Sequence, residues 1–142
     1  MEDRDAERWL QMREALWPGD EDDHRAAIAR YFAGHRHEPK HVLIALDGNG
    51  EGIGFAELSI HNIVDGCETD HVGYLEGWYV GPQARRQGVG GALIAAAEAW
   101  ARGEGCTEFA SDALIENEPS LAAHRALGFT ETARVCTLMK RL

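Results

Sequence analysis

The sequence has no apolar run long enough to span a membrane, no paired-cysteine motif, and fewer bases than acids. Its three cysteines, Cys67, Cys106 and Cys136, are odd in number and widely spaced, which argues against a disulfide framework and a zinc site. The 14 basic and 24 acidic residues give a formal charge of −10, so nucleic acid is a poor partner and a polycation a good one. Residues 1–5 are charged rather than basic and then apolar, so we expect no signal peptide, no membrane partner and a cytoplasmic protein.

The length favours one domain. A chain of 142 residues with 44% hydrophobic residues can bury a core without disulfides or metals. We expect residues 1–142 to form a single domain with no internal repeat. The histidines at positions 24, 35, 37 and 41 have no metal-ligand spacing, so we expect no metal.

Hydrophobic periodicity and turn residues predict alternating helices and strands. We expect helices over residues 3–16, about 20–34, 89 to 103 or 105, and 117–127, and strands over residues 41–46, 52–60, 72–80 and 107–112. Residues 129–142 are expected to supply one or two final strands, with residues 132–139 as the core of the last. The strand, helix, strand order around residues 72–112 predicts a parallel neighbour pair, because such crossovers are right-handed. The fold class is therefore α/β.

Residues 80–91 connect an aromatic strand to an alanine-rich helix. This segment contains two arginines and several glycines immediately before the helix. Glycines let backbone N–H groups approach an anion, and a helix N-terminus supplies free donors with a partial positive charge. The pattern predicts a phosphate site, although glycine-rich turns before surface helices are also common. Ligands of α/β sheets bind beyond the carboxyl ends of parallel strands, which places Glu76 and Asp112 in the same cleft.

Several motifs carry a family resemblance. Residues 85–90 resemble the Arg/Gln-x-x-Gly-x-Gly/Ala pyrophosphate loop of the GCN5-related N-acetyltransferases (GNAT), and residues 126–129 resemble their closing Gly-Phe signature. Residues 16–19, 74–77, 110–112 and 126–129 together are similar to the bacterial aminoglycoside 6′-N-acetyltransferases, over nearly the whole chain. The resemblance implies a GNAT fold, with a central, mostly antiparallel sheet, one parallel strand pair splayed around the cofactor, and about four helices.

By the same resemblance, the donor is acetyl-CoA. The pantetheine arm would pair with the backbone at the end of the third strand, at Trp78, Tyr79 and Val80. The pyrophosphate would be held by the following loop, which consists of Arg85, Arg86, Gln87, Gly88, Val89, Gly90 and Gly91. Two residues of the next helix would lie along the arm, Asn117 and Ser120. Asn117 and Ser120 are equally explained as helix caps.

The implied acceptor is an amine of an aminoglycoside. An ammonium must lose a proton before it can attack a thioester, and Glu76 and Asp112 are the groups expected to hold the amine and accept that proton. Asp112 is the first choice for the base and Glu76 the second, and structural pairing with an arginine is the alternative for both. Trp17 and Tyr74 are expected to line the acceptor side, with packing roles as the alternative. The acids of residues 65–70 would extend that surface.

Two departures from the family pattern concern the general acid and the first strand. Many members have a tyrosine four residues before the glycine of Gly-Phe, and here that position is His124. A histidine can donate a proton near neutral pH, so His124 is expected either to protonate the leaving thiolate or to be a plain helix-surface residue. The chain begins almost inside its first helix, so we expect either that the initial strand of the fold is very short or missing, or that the given start is not the natural one.

The expected function is acetylation of the 6′-amine of aminoglycosides by direct amine attack, with backbone N–H groups near Val80 polarising the thioester carbonyl. Acetylation of a protein N-terminus, a lysine or a small polyamine is the alternative within the family. A non-catalytic acyl-CoA-binding module is the alternative from another class. The resemblance also implies a homodimer, with the last strand at the interface.

Overall fold

The structure, a computed structural model, describes residues 2–142. Within these residues the fold is α/β, as predicted. A 3₁₀ helix over Asp3–Asp5 is followed by α1 (Ala6–Leu16), α2 (Glu21–Phe32), β1 (His41–Leu46), β2 (Gly52–His61), β3 (Val72–Val80), a 3₁₀ turn (Pro82–Ala84), α3 (Val89–Gly103), β4 (Phe109–Ser111) and α4 (Glu118–Ala126). None of the helices in this range is both long and apolar enough to cross a membrane.

The four strands form one mixed sheet in the order β1-β2-β3-β4. The first two pairings are antiparallel, and β3 pairs with β4 in parallel through the α3 crossover, as the strand, helix, strand order predicts. The hairpin between β1 and β2 is closed by Asp47, whose side chain accepts hydrogen bonds from the N–H groups of Asn49 and Glu51. Asx side chains of this kind stabilise turns, which explains why this hairpin could be predicted from the sequence.

Helices cover both faces of the sheet. On one face α1 and α2 pack through Trp9, Ile28 and Tyr31 against Phe55 of β2. On the other face α3 contributes Leu93, Ile94 and Ala97 to a second cluster, which includes Leu58 and Leu75 of the sheet. The aromatic and aliphatic residues that give the helices their 3.6-residue period are therefore the ones that are buried. The sheet, including β3 and β4, therefore lies between these two helix layers.

The C-terminal segment differs from the prediction. Residues 127–142 contain no strand, so the expected final strands, including residues 132–139, are absent from the single chain. The alternating pattern supports extended backbone, but a strand also needs an unpaired sheet edge beside it, and the tail does not pair with one. Val135, Leu138, Met139 and Leu142 are exposed as a result. No strand precedes α1 within the described residues either, which agrees with the expectation of a short or missing first strand.

Candidate active site

The site lies where β3 and β4 separate. Their parallel pairing covers only three residues of each strand, Gly73 to Leu75 with Phe109 to Ser111. Beyond Leu75, β3 has β2 on one side and no strand of residues 2–142 on the other. The N–H of Gly81 donates to the carbonyl of Ile53 in β2 at 2.8 Å. Because successive residues of a strand direct their polar groups to opposite edges, the backbone of Val80 faces the open side.

The contact of Arg85 agrees with this orientation of Val80, because Nε of Arg85 donates to the carbonyl of Val80 at 2.9 Å from the open edge. By the alternation, Trp78 also presents its backbone to the open edge. Tyr79, which the resemblance placed with them, instead directs its backbone to β2, where it pairs with Phe55. Two of the three predicted strand residues therefore offer backbone groups to a ligand along this edge.

The loop after β3 is shaped to bind an anion. Arg86 has φ 61° and Gly88 has φ 80°, both left-handed. Gly88 is the N-cap of α3 and has no side chain to accept from the first turn, so the amides of Val89, Gly90 and Gly91 are free of side-chain caps. Successive free N–H groups at a helix N-terminus form a phosphate-binding concavity. Arg85, Arg86 and Gln87 are exposed around it.

Close packing between α3 and β3 supports this loop. A Cβ at Gly90 would lie 3.0 Å from Cζ2 of Trp78, a tight contact, so the helix starts close to the strand at this glycine. The buried Nε1 of Trp78 has no hydrogen-bond partner among the described residues. A buried unpaired N–H is uncommon in folded proteins. The free amides of the first α3 turn and the exposed arginines beside them fit a pyrophosphate group.

An acidic cavity of about 330 Å³ lies beside β3, on the α1–α2 face of the sheet. Three carboxylates, one guanidinium, an imidazole, an indole and a proline line it; these residues are Glu38, Glu57, Glu76, Arg13, His24, Trp17 and Pro39. Because the three carboxylates outnumber the one guanidinium, the cavity carries net negative charge. It is suited to a cationic ligand.

Trp17 forms one wall of the cavity, where its indole lies across β3. A Cβ at Gly77 would be 2.4 Å from Cη2 of the indole, so the glycine provides the space that the ring occupies. The ring is further held by the guanidinium of Arg13, 5.0 Å from its centroid, and by an edge contact with Phe55. His24 accepts from Nε of Arg13 and contacts the carbonyl of Trp17 at 2.9 Å through Nε2. Trp17 is thus both a packing residue and a cavity wall.

Glu57 forms a buried ion pair within the cavity. Its carboxylate accepts from Nε1 of Trp9 at 2.8 Å and from Arg13 at 2.5 Å. Burial raises the pKa of Glu57, and the charge and hydrogen bond of Arg13 act in the opposite direction. Arg13 therefore balances the charge of Glu57. The other two acids of the cavity, Glu38 and Glu76, have no arginine or lysine partner among the described residues.

Glu76 lies at an irregularity in β3. Glu57 pairs with Gly77 and Leu58 with Leu75, so Glu76 is an extra residue opposite no partner in β2. Such a bulge redirects a side chain, and here Glu76 points into the cavity. Its Oε1 lies 2.5 Å from Nε2 of His61.

Asp112 lies just past the end of β4 and is exposed. It does not line the acidic cavity itself, but it accepts a hydrogen bond of 2.8 Å from the hydroxyl of Tyr74. Burial, followed by the bond to Asp112, raises the pKa of Tyr74, so this hydroxyl remains a donor at neutral pH. The ring of Tyr74 stacks on His61 at 4.0 Å, and His61 contacts Glu76. The two predicted carboxylates are therefore joined through Tyr74 and His61.

His124 lies on α4, facing Trp78 and β4. Its Nδ1 is 2.7 Å from the carbonyl of Ser120 and its Nε2 is 3.0 Å from Oγ of Ser111. The carbonyl can only accept, so Nδ1 carries a proton and Nε2 of the neutral ring accepts from Ser111. The ring also packs on Trp78 at 5.3 Å. Asn117 caps α4 by accepting from the N–H of Ser120.

The predicted residues thus fall into two groups on the two sides of β3. The loop, Trp78, His124 and the α4 N-terminus surround the separation of β3 and β4, and Trp17 and Glu76 lie in the acidic cavity. Sequence reasoning missed Arg13, His24, Glu38, Glu57 and His61. The only signal for Glu57 and His61 was a charged or polar residue in a strand otherwise rich in apolar residues.

Comparison with solved structures places this geometry among acetyltransferases. The structure superposes on the apo aminoglycoside antibiotic 6′-N-acetyltransferase of Acinetobacter haemolyticus with a TM-score of 0.89 and 39% identity, covering 100% of this chain and 96% of the other. It superposes on AAC(6′)-Iy in complex with the bisubstrate analog CoA-S-monomethyl-acetylneamine with a TM-score of 0.88 and 40% identity, covering 100% and 95%. The fold predicted from the resemblance is therefore confirmed.

Sequence relatives agree. The chain is 52% identical over 143 residues to the aminoglycoside N(6′)-acetyltransferase type 1 of Klebsiella aerogenes, covering 100% of this chain and 94% of the relative. It is 47% identical to the protein of the same name from Stenotrophomonas maltophilia, covering 92% and 84%. The model of the acetyltransferase (GNAT) family matches residues 6–129. With its glycine-rich loop between a split sheet and a helix, the chain belongs to the GNAT acetyltransferase family.

Proposed function

We propose that the protein transfers the acetyl group of acetyl-CoA to the 6′-amine of aminoglycosides, and so acts in antibiotic resistance. The observation that carries the proposal is the placement of an anion-binding loop and an acidic cavity on the two sides of one strand, β3. Full-length relatives with this activity in their names support it. The acidic cavity favours a polycationic acceptor over a neutral one.

The donor half fits coenzyme A. The free amides of the first α3 turn, with Arg85 and Arg86, would hold the pyrophosphate, and the open edge at Trp78 and Val80 would pair with the pantetheine amides. Acetyl-CoA supplies the reactive thioester when bound. The Val80 N–H, directed to the open edge, is positioned to donate to the thioester carbonyl.

The acceptor half would bind ammonium groups and remove one proton. Glu76 projects from the bulge into the cavity, and Trp17 offers an indole face beside it for a sugar ring or a cation. The reacting ammonium must give its proton to a base before the nitrogen can form a bond to carbon. Glu76 lies in the cavity wall, whereas Asp112 accepts a hydrogen bond of 2.8 Å from Tyr74, so we assign Glu76 as the base and Asp112 as an amine anchor.

His124 remains the proposed proton donor to the leaving thiolate. Its Nε2 accepts from Ser111 in the neutral ring, so a donor role requires that Nε2 first be protonated. The hydroxyl of Ser111 has another acceptor in the carbonyl of Leu75 at 3.3 Å, to which it can rotate in that state. Ser120 then holds the ring through Nδ1 in both states.

We further propose that residues 1–142 form a single domain of a cytoplasmic homodimer. A single sheet and two adjoining core clusters support the first point. Exposed apolar residues of the C-terminal tail, including Val135 and Met139, support the second, because such patches mark interfaces. The last strand predicted from sequence would then form between two chains rather than within one.

Steady-state assays that detect thiol release test the acceptor half. Kanamycin-type aminoglycosides with acetyl-CoA should be turned over, and Glu76→Gln should lower kcat by roughly a hundredfold or more, the contribution typical of a general base. Asp112→Asn should lower kcat as well, and neither change should alter the Kd for acetyl-CoA. Silence on every aminoglycoside, with turnover of peptides or polyamines, would contradict the assigned substrate.

Calorimetric binding tests the donor half. Gly88→Glu should abolish acetyl-CoA binding, because it places a carboxylate and a Cβ where the loop needs left-handed glycine. Gly105→Glu is the matched control, since Gly105 has φ 87° after the other end of α3 and also has open space around its Cβ position. Equal loss of binding in both variants would show a folding defect and not a loop defect.

A further inference from the structure

His61 has no role in the function proposed so far, although it contacts the proposed base. It is the last residue of β2, and 29% of its side chain is exposed. Its Nε2 lies 2.5 Å from Oε1 of Glu76, so the two side chains are in direct hydrogen-bond contact. Glu76 is not paired with an arginine or lysine among the described residues, so His61 is the group that controls its orientation.

The imidazole is held firmly for this purpose. Its plane stacks on the ring of Tyr74 with centroids 4.0 Å apart and an angle of 14°. Tyr74 is in turn tied to Asp112 by its hydroxyl. Three residues of two neighbouring strands and one residue after β4 therefore form a continuous chain from Asp112 to Glu76. A side chain that only filled space would not need a hydrogen bond at one end and a stacked ring on its face.

The charges that face His61 come from three parts of the chain. Glu76 of β3 is in direct contact with the ring. Glu38, before β1, has a carboxylate oxygen within 4.8 Å of the nearest ring nitrogen of His61 and of the carboxylate of Glu76. Tyr74 of β3 stacks on the ring face, and its hydroxyl is bonded to Asp112. All of these groups are acidic or neutral. A neutral His61 leaves Glu76 free to attract an ammonium, whereas an imidazolium cancels part of that negative charge.

We propose that His61 is a positioning residue, which aims the carboxylate of Glu76 at the acceptor amine through its contact with Oε1. The inference rests on the proposed acetyltransferase function. In the reacting complex the ammonium gives one proton to Oε2 of Glu76 while Oε1 stays bonded to His61, so one carboxylate oxygen orients and the other reacts.

Substitutions at His61 separate the hydrogen bond from the bulk of the side chain. His61→Gln keeps an N–H donor, so kcat for an aminoglycoside at pH 8 should remain near the wild-type value. His61→Leu keeps bulk and loses the donor, so kcat should fall by roughly tenfold to a hundredfold, as expected for a hydrogen bond to a charged group. His71→Gln is the control, because His71 contacts the carbonyl of Glu104 and does not line the cavity.

Two results would overturn the assignment. One is a wild-type kcat in both His61 variants. The other is an equal loss of kcat in the Gln and Leu variants, which would indicate only disturbed packing. The ring-nitrogen NMR signals of His61, recorded without any substrate, should shift in Glu76→Gln. If no aminoglycoside is turned over, this shift still tests the contact, so the two proposals fail independently.

Discussion

At the scale of single residues, Gly77 decides where the indole of Trp17 lies. Gly77→Ala would place a Cβ 2.4 Å from Cη2 of Trp17, so the ring must move out of the cavity wall. We expect KM for the aminoglycoside to rise by about tenfold, the equivalent of about 1.4 kcal/mol, while acetyl-CoA binding stays unchanged. Steady-state kinetics at varied aminoglycoside concentration measure this effect.

The control for Gly77→Ala is Gly73→Ala in the same strand. A Cβ at Gly73 would meet Cβ of Ala101 at 2.7 Å, away from Trp17, and so should destabilise the protein by about 1–3 kcal/mol without a specific change in KM. A KM that rises equally in both variants would remove Trp17 from the acceptor wall. Thermal unfolding of both variants gives the stability comparison.

Sequence patterns indicate candidate residues where neighbours in sequence carry the signal. Gly88 and the adjacent arginines occur within one short loop, so this loop can be proposed as an anion site from the sequence alone. Arg13 and Glu57 are 44 residues apart, and His61 and Glu76 are 15 apart. Their contacts depend on helix docking and on a bulge that no local pattern specifies, so Arg13, Glu57 and His61 were not predicted, although Glu76 was.

At the scale of elements, the Arg13–Glu57 pair fastens α1 to β2 beneath the cavity. The side chains are 11% and 4% exposed, so removal of one partner leaves a buried charge. Arg13→Leu should therefore reduce the free energy of unfolding by about 3–5 kcal/mol. Arg13→Leu with Glu57→Leu should recover much of that loss, because no charge remains buried. Urea unfolding of the three proteins measures both values.

The loss in Arg13→Leu should also depend on pH. Burial raises the pKa of Glu57 above its ordinary value of 4.5, and without Arg13 nothing of comparable strength opposes that effect. The folded state then keeps a proton that the unfolded state releases, so stability should fall as pH rises above about 4.5. Equal stability of the single variant at pH 5 and pH 8 would contradict this linkage. The double variant, which lacks the carboxylate, serves as the control.

Element boundaries were predictable where turn chemistry marks them. β1 and β3 have the predicted limits, and α3 ends at Gly103, one of the two predicted positions. β4 is shorter than predicted, Phe109–Ser111 instead of residues 107–112, because it pairs with β3 over only three residues. That short pairing creates the split at which the site lies. Propensity measures the preference for extended backbone, but the length of a strand is set by its partner.

At the scale of the whole molecule, the C-terminal tail and the end of the sheet suggest how two chains combine. β4 is the last strand of the sheet and has no partner on its outer side within residues 2–142. The tail carries exposed Val135, Leu138 and Met139 in a strand-favouring sequence. Thr132 anchors the start of the tail to the carbonyl of Asp65 at 3.1 Å. Pairing of each tail with the sheet edge of a second chain would satisfy both the backbone and the apolar side chains.

Sedimentation and light scattering test this assembly. The full chain should be a dimer whose melting temperature rises with protein concentration, because association stabilises the folded state by mass action. Deletion of residues 132–142 should give a monomer, and Val135→Asp with Met139→Asp should do the same, because the two side chains share one face of an extended tail. Retained acetyl-CoA binding in the substituted protein would show that the monomer is folded. A full chain that sediments as a monomer at micromolar concentration would leave the predicted last strand without a partner and refute the dimer.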